Sequence, residues 1–531
     1  MSRQKSTRLI ACLSVSMFLV LVTSLSFAEK PRFGGTLRIG ARLPQFHRLD
    51  PRYNTLETMA PASGMIYDCL FNWGPEGYKG LVPQLATDYE TTDNKVWIVH
   101  LRKGVKFHNG REMTAEDVKA NLDWRINLPS GWKPIKYKEY IKFLRAVEVV
   151  DRYTIKIILD RPFSPLLRIL AYALRGIVPP EEVKKWGSKF SAHPCGTGPY
   201  RATLIKPKEK IVLERFDDYW GPRPYVDRIE YIFIRSDEAR LIALQKGEID
   251  MAQQVLEEHL SIVEKDPNVT CQQAIVPFVL HKHYFNFRRW PMTDLRFRKA
   301  IWMGADWKNI AINTRANKSG LYARTLLDYT DFFNPGAVHL VPGYNPEEAK
   351  KLIRAVEKDA GKKIPPIYWL DSSSFTGRNI AEPAKMQLAQ IGVTLDLHLM
   401  SHAIWYEKVY KDPKAEWSSA GYGLGFGLDP FMGFNTFATN SGTHADGKSI
   451  GGYSNPEFDQ WLDRALKANT EDARTEAYHE AEKVLLKDVA CIPLTGYRTI
   501  IGYNKKVKGF KLTNTGCIYV TNTWTNLWLQ E

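Results

Sequence analysis

Three stretches, "KVWIVHLR" (95–102), "YTIKIILD" (153–160) and "RIEYIFIR" (228–235), are rich in β-branched and aromatic residues with partial or full alternation, and helix signals alternate with them. Period-two segments interleaved with 3.6-period segments restrict the chain to mixed α/β architectures. Thr114-Ala115-Glu116-Asp117 sets a cap three residues before an acid and opens a helix through "TAEDVKANLDWRI". Ser454-Asn455-Pro456-Glu457 opens another. There Phe458, Trp461, Leu462, Ala465 and Leu466 recur at i, i+3, i+4, i+7 and i+8, one buried helix face. At 531 residues the chain exceeds what a single hydrophobic core usually supports, so two or three lobes are expected. No internal repeat or low-complexity linker breaks the pattern.

The first residues read as an address. Arg3, Lys5 and Arg8 form a basic region, 9–22 is apolar, and Ser26-Phe27-Ala28 offers the small residues a signal peptidase needs. The apolar run is short for a bilayer span and a small-residue site follows it directly, which favours export with cleavage over anchoring. Leu9-Ile10-Ala11-Cys12 imitates a lipoprotein box, but no apolar region precedes it. Removing the signal peptide, residues 1–28, lowers the net charge from +15 to about +12. This balance favours anionic ligands or surfaces, yet the charges are scattered and no basic block carries interleaved aromatics, so no nucleic acid is expected as a partner. Cys69, Cys195, Cys271, Cys491 and Cys517 remain after cleavage. An odd count in an oxidising compartment allows one pair or two at most, with at least one free thiol.

Enzyme signatures fail on inspection. "GTHADGKS" (442–449) fits G-x-x-x-x-G-K-[ST], but polar "GFNTFATNS" precedes it and "IGGYSNP" follows. The buried strand and the immediate helix that a phosphate loop requires are both missing. His479-Glu480 starts like H-E-x-x-H, but the fifth position is Lys483. No G-x-S-x-G nucleophile elbow occurs. The pairs His281/His283 and His398/His402 have spacings compatible with a strand or helix face, a pattern that is usually structural. The reading is therefore a non-enzyme with no catalytic residue, no cofactor and no metal ligand.

About ten stretches occur in a fixed order from residue 34 to the C-terminus. They include "GGTLRIG" (34–40), "LVPQLATDYE" (81–90), "WIVHLRKGVKFHNGREMTAEDV" (97–118), "GTGPYR" (196–201), "LERFDDYWGPRPYVDRIEYIFI" (213–234), "ALQKGEIDM" (243–251), "MTDLRFRKAIWMGADW" (292–307) and "GYSNPEFDQWLDRA" (452–465). Together they resemble the extracytoplasmic solute-binding proteins of peptide/nickel-type ABC transporters, family 5. The resemblance implies a two-lobe periplasmic-binding-protein (Venus-flytrap) fold with an extra subdomain inserted in lobe one. Residues 29–67, 190–285 and 495–531 would form lobe one, 68–189 the insertion and 286–494 lobe two. Each motif also has a scaffold reading: Asp117 as a helix cap, "GTGPYR" as a sharp bend, "DDYW" as turn and core.

The resemblance implies a monomer in the periplasm that closes on a small-molecule solute and presents it to an ABC permease and its ATPase subunits. Trp405, in "SHAIWYEKV", matches an aromatic contact of peptide-binding members; the alternative is core. "SSAGYGLGFGLDPFMGF" (418–434) matches a cleft segment, with Tyr422 and Phe426 able to stack on a ligand, Asp429 in the acid–Pro pair, and glycines allowing close backbone approach. Tyr53 and Asn54, in "LDPRYNTLE", match a segment lining the cleft near the hinge. Arg175, in "ALRGIVP", resembles an Arg that nickel-type members turn towards an anionic group, against a solvated Arg as the plainer reading. Peptide-binding members carry an Asp three residues before the acid–Pro pair to neutralise the α-ammonium group; here that position is Phe426. The Arg of dipeptide binders falls near Asp371. An ordinary zwitterionic peptide is thus disfavoured, unless Asp429 itself meets the ammonium. Alternatives are a peptide-binding member of the family, a ligand-sensing module for a membrane receptor, which gene neighbourhood would distinguish, and a degradative enzyme, which turnover would reveal. If Ser26-Phe27-Ala28 is the cleavage site, N-terminal sequencing of envelope protein will begin at Glu29; a form retaining residues 1–28 would contradict it.

Overall fold

The computed structural model describes residues 30–42, 49–52, 62–74, 77–127, 142–174, 176–314, 320–425, 429–512 and 524–530. The three stretches with strand patterns form Val96–Leu101, Thr154–Leu159 and Arg228–Phe233. Both expected helices are present, Ala115–Ile126 and Pro456–Lys467. Asp117 closes a capping box with Thr114 and also takes a bidentate pair from Arg111. Asn455 caps the later helix, whose Phe458, Leu462, Ala465 and Leu466 are buried as the spacing predicts.

An 11-stranded sheet runs through the molecule in the order Leu395–Met400, Ile367–Ser372, Ser419–Gly425, Val269–Phe285, Cys491–Asn504, Met251–Ala252, Thr36–Ala41, Arg228–Phe233, Lys210–Arg215, Tyr200–Lys206, with Leu321–Tyr322 added beside Cys491–Asn504. Parallel pairing occurs towards either end: Ile367–Ser372 with its two neighbours, and Thr36–Ala41 with Arg228–Phe233 and Met251–Ala252. Parallel strands need crossovers, and helices such as Phe375–Ala389 and Asp237–Gln245 supply them. Between the two ends lie the long antiparallel strands Val269–Phe285 (17 residues) and Cys491–Asn504 (14 residues). Their register shifts between Val276 and Leu280 and again between His281 and Lys282. One portion of Val269–Phe285 pairs only with Cys491–Asn504, while Val279–Phe285 also pairs with Ser419–Gly425. The halves of the sheet therefore share two strands.

A separate four-stranded antiparallel sheet, in the order Ala86–Glu90, Val96–Leu101, Thr154–Leu159, Leu144–Asp151, falls wholly within 68–189. It meets the chain beyond residue 429 through side chains and backbone. Phe163 packs edge-on to Phe431 at 5.0 Å, Ser164 N–H donates to Leu466 O, and Asn94 Nδ2 donates to Ala468 O.

Three of the ordered motifs converge on one buried acid. Asp68 Oδ1 accepts from Gln84 Nε2 at 2.6 Å, and Oδ2 from Trp220 Nε1 at 2.8 Å and Thr197 Oγ at 3.1 Å. Arg102 adds its charge and lies over the Trp220 ring. "GTGPYR" passes here because its glycines touch backbone: a Cβ on Gly196 would lie 2.2 Å from Ile66 O, and one on Gly198 2.4 Å from Met65 O. Close approach explains these two glycines, whereas the sequence pointed to bending. The "GTHADGKS" loop closes on itself, with Gly442 N–H donating to Gly447 O and His444 N–H to Lys448 O, so those amides serve the turn. Among the described residues Cys69, Cys195, Cys271 and Cys491 are free thiols; burial pushes those of Cys195 and Cys491 up to about 12. Cys517 lies outside the described residues.

Burial raises Asp68 to about 7 against the pull of its donors. A raised folded value stabilises fully below the unfolded value near 4, and that contribution is lost as pH rises through about 7. Asp68→Asn should therefore flatten the fall in unfolding free energy between those limits by up to roughly 4 kcal/mol, whatever fixed offset the lost acceptor imposes. Urea unfolding of both proteins across this range measures it; identical slopes would refute the assignment.

Candidate functional site

Of the seven candidate ligand residues, Tyr53, Asn54, Arg175 and Phe426 lie outside the described residues. Tyr422 stands in Ser419–Gly425 with its backbone opposite Lys282, one residue from the strand positions Gly421 and Gly423 that face His283 and His281. The nearest demand on Gly421 comes from its own half of the molecule: a Cβ there would lie 2.3 Å from His283 Cε1 and 2.7 Å from Asp371 Oδ2. Trp405 is fully buried in the helix His402–Tyr406, with Tyr410 edge-on at 5.9 Å and His402 stacked at 6.4 Å. It belongs to the large hydrophobic cluster that also holds Val409, Ala415 and Trp417.

Asp429 begins the helix Pro430–Phe434, where Pro430 suits the first helical position, and its Oδ1 accepts from Phe431 N–H at 3.0 Å. The same oxygen accepts from Tyr478 O–H at 2.6 Å, while Arg474 Nη1 stands 3.7 Å from Oδ2. Tyr478 and Arg474 are four residues apart on Glu471–Lys487 and point inward together. Burial, then the charge of Asp429, pushes the Tyr478 phenol well above its ordinary range, so it remains a donor. Arg168 joins from the four-stranded-sheet side, with Nη2 at 3.0 Å from Asp331 and 2.9 Å from Glu471. Burial works against its charge, but Asp331, Asp429 and Glu471 together outweigh that and leave it protonated. Asp331 itself is raised by burial despite Arg168. Two arginines and three acids thus form one near-balanced cluster joining Arg168, Asp331 and the 429–478 region.

The sequence reading missed Arg168, Asp331, Arg474 and Tyr478. Its one available signal was the four-residue spacing of Arg474 and Tyr478 on an otherwise amphipathic helix. Asp371, near the place expected for the Arg of dipeptide binders, is buried between His281 and His283 at 3.3 and 3.1 Å. Asp371 thus has two imidazoles as neighbours, and Asp429 has Tyr478 and Arg474.

The family model for bacterial extracellular solute-binding proteins, family 5 (middle region), matches residues 80–445. The glutathione-binding protein GsiB of Escherichia coli O157:H7 is 26% identical over 507 residues, covering 92% of this chain and 93% of GsiB. Among solved structures, the periplasmic binding protein DppA of Helicobacter pylori in complex with peptide STSA aligns at TM-score 0.77 with 23% identity, covering 94% of this chain and 99% of DppA. AgaA of A. tumefacien R10 in complex with agropinic acid aligns at TM-score 0.75 with 23% identity, over 94% and 99% of the two chains. These likenesses establish the two-lobe α/β fold.

Removing the Tyr478 hydroxyl takes a donor from a buried carboxylate, so Tyr478→Phe should lower stability by about 1–3 kcal/mol in denaturant titrations. Unchanged stability would mean that Asp429 does not depend on this contact.

Proposed function

Because the chain belongs to family 5 of the bacterial extracellular solute-binding proteins, the solute-capturing components of ABC importers, we propose that it closes two lobes on a small solute other than an ordinary zwitterionic peptide. The observation carrying this reading is that Asp429, the acid that could otherwise meet an ammonium group, already has partners. Its Oδ1 accepts from Tyr478, and Arg474 stands 3.7 Å from its Oδ2. With Phe426 in place of the ammonium-binding acid, a buried α-ammonium group would lack its counter-charge, a loss of several kcal/mol. Phe426 and Tyr422 supply stacking surfaces for an uncharged planar or sugar-like face, with Arg175 for an anionic end and Tyr53, Asn54 and Trp405 bordering the cleft.

The lobes divide as 29–67, 190–285 and 495–531 against 286–494, with 68–189 attached to the first. The two shared strands then act as the hinge, and the Arg168 cluster with Asp331 and Glu471 is a contact made on closure. Water exclusion on closure strengthens the few polar contacts to the solute. The protein works as a periplasmic monomer after cleavage at Ala28 and delivers its solute to a permease with ATPase subunits. A second reading, a peptide or glutathione ligand, draws on the likeness to DppA and GsiB.

Calorimetry with di- to pentapeptides and glutathione separates the two. Binding weaker than micromolar throughout supports the first reading, and submicromolar binding of free peptides overturns it. Mass spectrometry of material co-purifying with the native protein supplies the solute, for which Phe426→Ala should cost more affinity than Phe426→Tyr.

A further inference from the structure

We propose that His281, His283 and Asp371 bind a divalent transition-metal ion inside the half of the sheet formed by Ile367–Ser372, Ser419–Gly425 and Val269–Phe285. His281 and His283 are two apart on one strand and so share a face. His283 is level with Gly421 on the next strand, and Asp371 follows Leu370, which is level with Ala420 on that same strand. The three positions form a row across adjacent strands. The middle one has no side chain, and through that gap imidazole and carboxylate meet.

All three side chains are at most 1% exposed. Nε2 of His281 lies 3.3 Å from Asp371 Oδ1, Nε2 of His283 lies 3.1 Å from Oδ2, and one ligand atom from each residue falls within 4.8 Å of the others. No hydrogen bond of acceptable geometry reaches His281 Nε2, His283 Nε2 or Asp371 Oδ2. Three buried polar atoms this close together, none with a well-formed hydrogen bond, suit a shared partner. The spacing fits an ion: two ligands about 2.0–2.1 Å from a tetrahedral centre stand roughly 3.3 Å apart.

The surroundings fix the ligand atoms. His283 Nδ1 is 3.3 Å from Ser419 Oγ, so an Nδ1–H donated there leaves the Nε2 lone pair directed at the row. Asp371 Oδ1 accepts from Ser372 N–H at 2.7 Å. Trp369 lies 4.2 Å and Trp307 6.4 Å from the His283 ring, centroid to centroid, and give the site an apolar wall. Trp307 also lines a surface cavity of about 300 Å³ with Asp306, Arg324 and Tyr344. Two imidazoles and one carboxylate suit Zn²⁺, Co²⁺ or Ni²⁺ rather than the oxygen-seeking Ca²⁺ or Mg²⁺, and leave a fourth position for water. The site uses none of the residues assigned to the solute, so it stands or falls apart from that reading.

The test uses the full mature chain, stripped with chelator and titrated with Zn²⁺ and Co²⁺. We expect one ion per chain, a higher melting temperature with Zn²⁺, and a Co²⁺ ligand-field spectrum of low coordination number. His283→Gln and Asp371→Asn should lose the ion, and Ser419→Ala should weaken it about 10- to 100-fold. His398→Gln, a half-buried histidine paired with Asp396, should bind normally. If the triad variants misfold, X-ray absorption of the Co²⁺-loaded unmodified protein still reports whether two imidazoles ligate the ion. Folded protein that takes up no Zn²⁺ or Co²⁺, ion uptake that persists in Asp371→Asn, or a coordination sphere lacking imidazole would each overturn the proposal.

Discussion

The buried carboxylate of Asp68 holds together parts of the chain that are far apart in sequence. Gln84, Thr197 and Trp220 each donate to it, and each belongs to a different stretch of the ordered series of motifs. A buried charge without donors costs several kcal/mol, so the acid can exist only where these segments have already met. The converse also holds: the donors are buried polar groups that need an acceptor. The two glycines of "GTGPYR" make the meeting possible by letting that segment lie directly on the backbone of residues 65 and 66. Motifs that look like separate signatures in one dimension are thus a single cluster in three.

The long antiparallel pair is the second constraint. Val269–Phe285 and Cys491–Asn504 give the two ends of the sheet a common spine, and their ladder is broken where it passes from one end to the other. Every other strand belongs to one end. The acid–base cluster around Arg168, Asp331, Asp429, Arg474 and Tyr478 lies away from that spine and brings the smaller sheet's surroundings against the helices near the C-terminus. Its members gain from each other's charge only while those surfaces are together, since each alone would be a desolvated ion.

Local structure was legible because its causes are local. Alternation gave the strands at 96–101, 154–159 and 228–233; a cap and an acid gave the helix at 115–126; Asn455-Pro456 gave the start of another. The family order gave the architecture. Pairing across long separations was another matter. Nothing near Asp68 in the sequence announces Thr197 or Trp220, and His281-Lys282-His283 reads as an ordinary alternating strand until Gly421 and Asp371 are placed beside it. Asp429 was legible as part of an acid–Pro pair, but its cap geometry and its partner Tyr478 depend on tertiary packing. Gly421 was read as room for a ligand, whereas the room is filled by His283 and Asp371.

Two paired strands can bend and twist while the ladder between them stays intact. If the proposed hinge is this pair, the register shift at Val276–Leu280 is one place where its ladder is interrupted. Motion about such a hinge would act as one mechanical coordinate. One distance measured between the two ends of the sheet would then describe the whole of it.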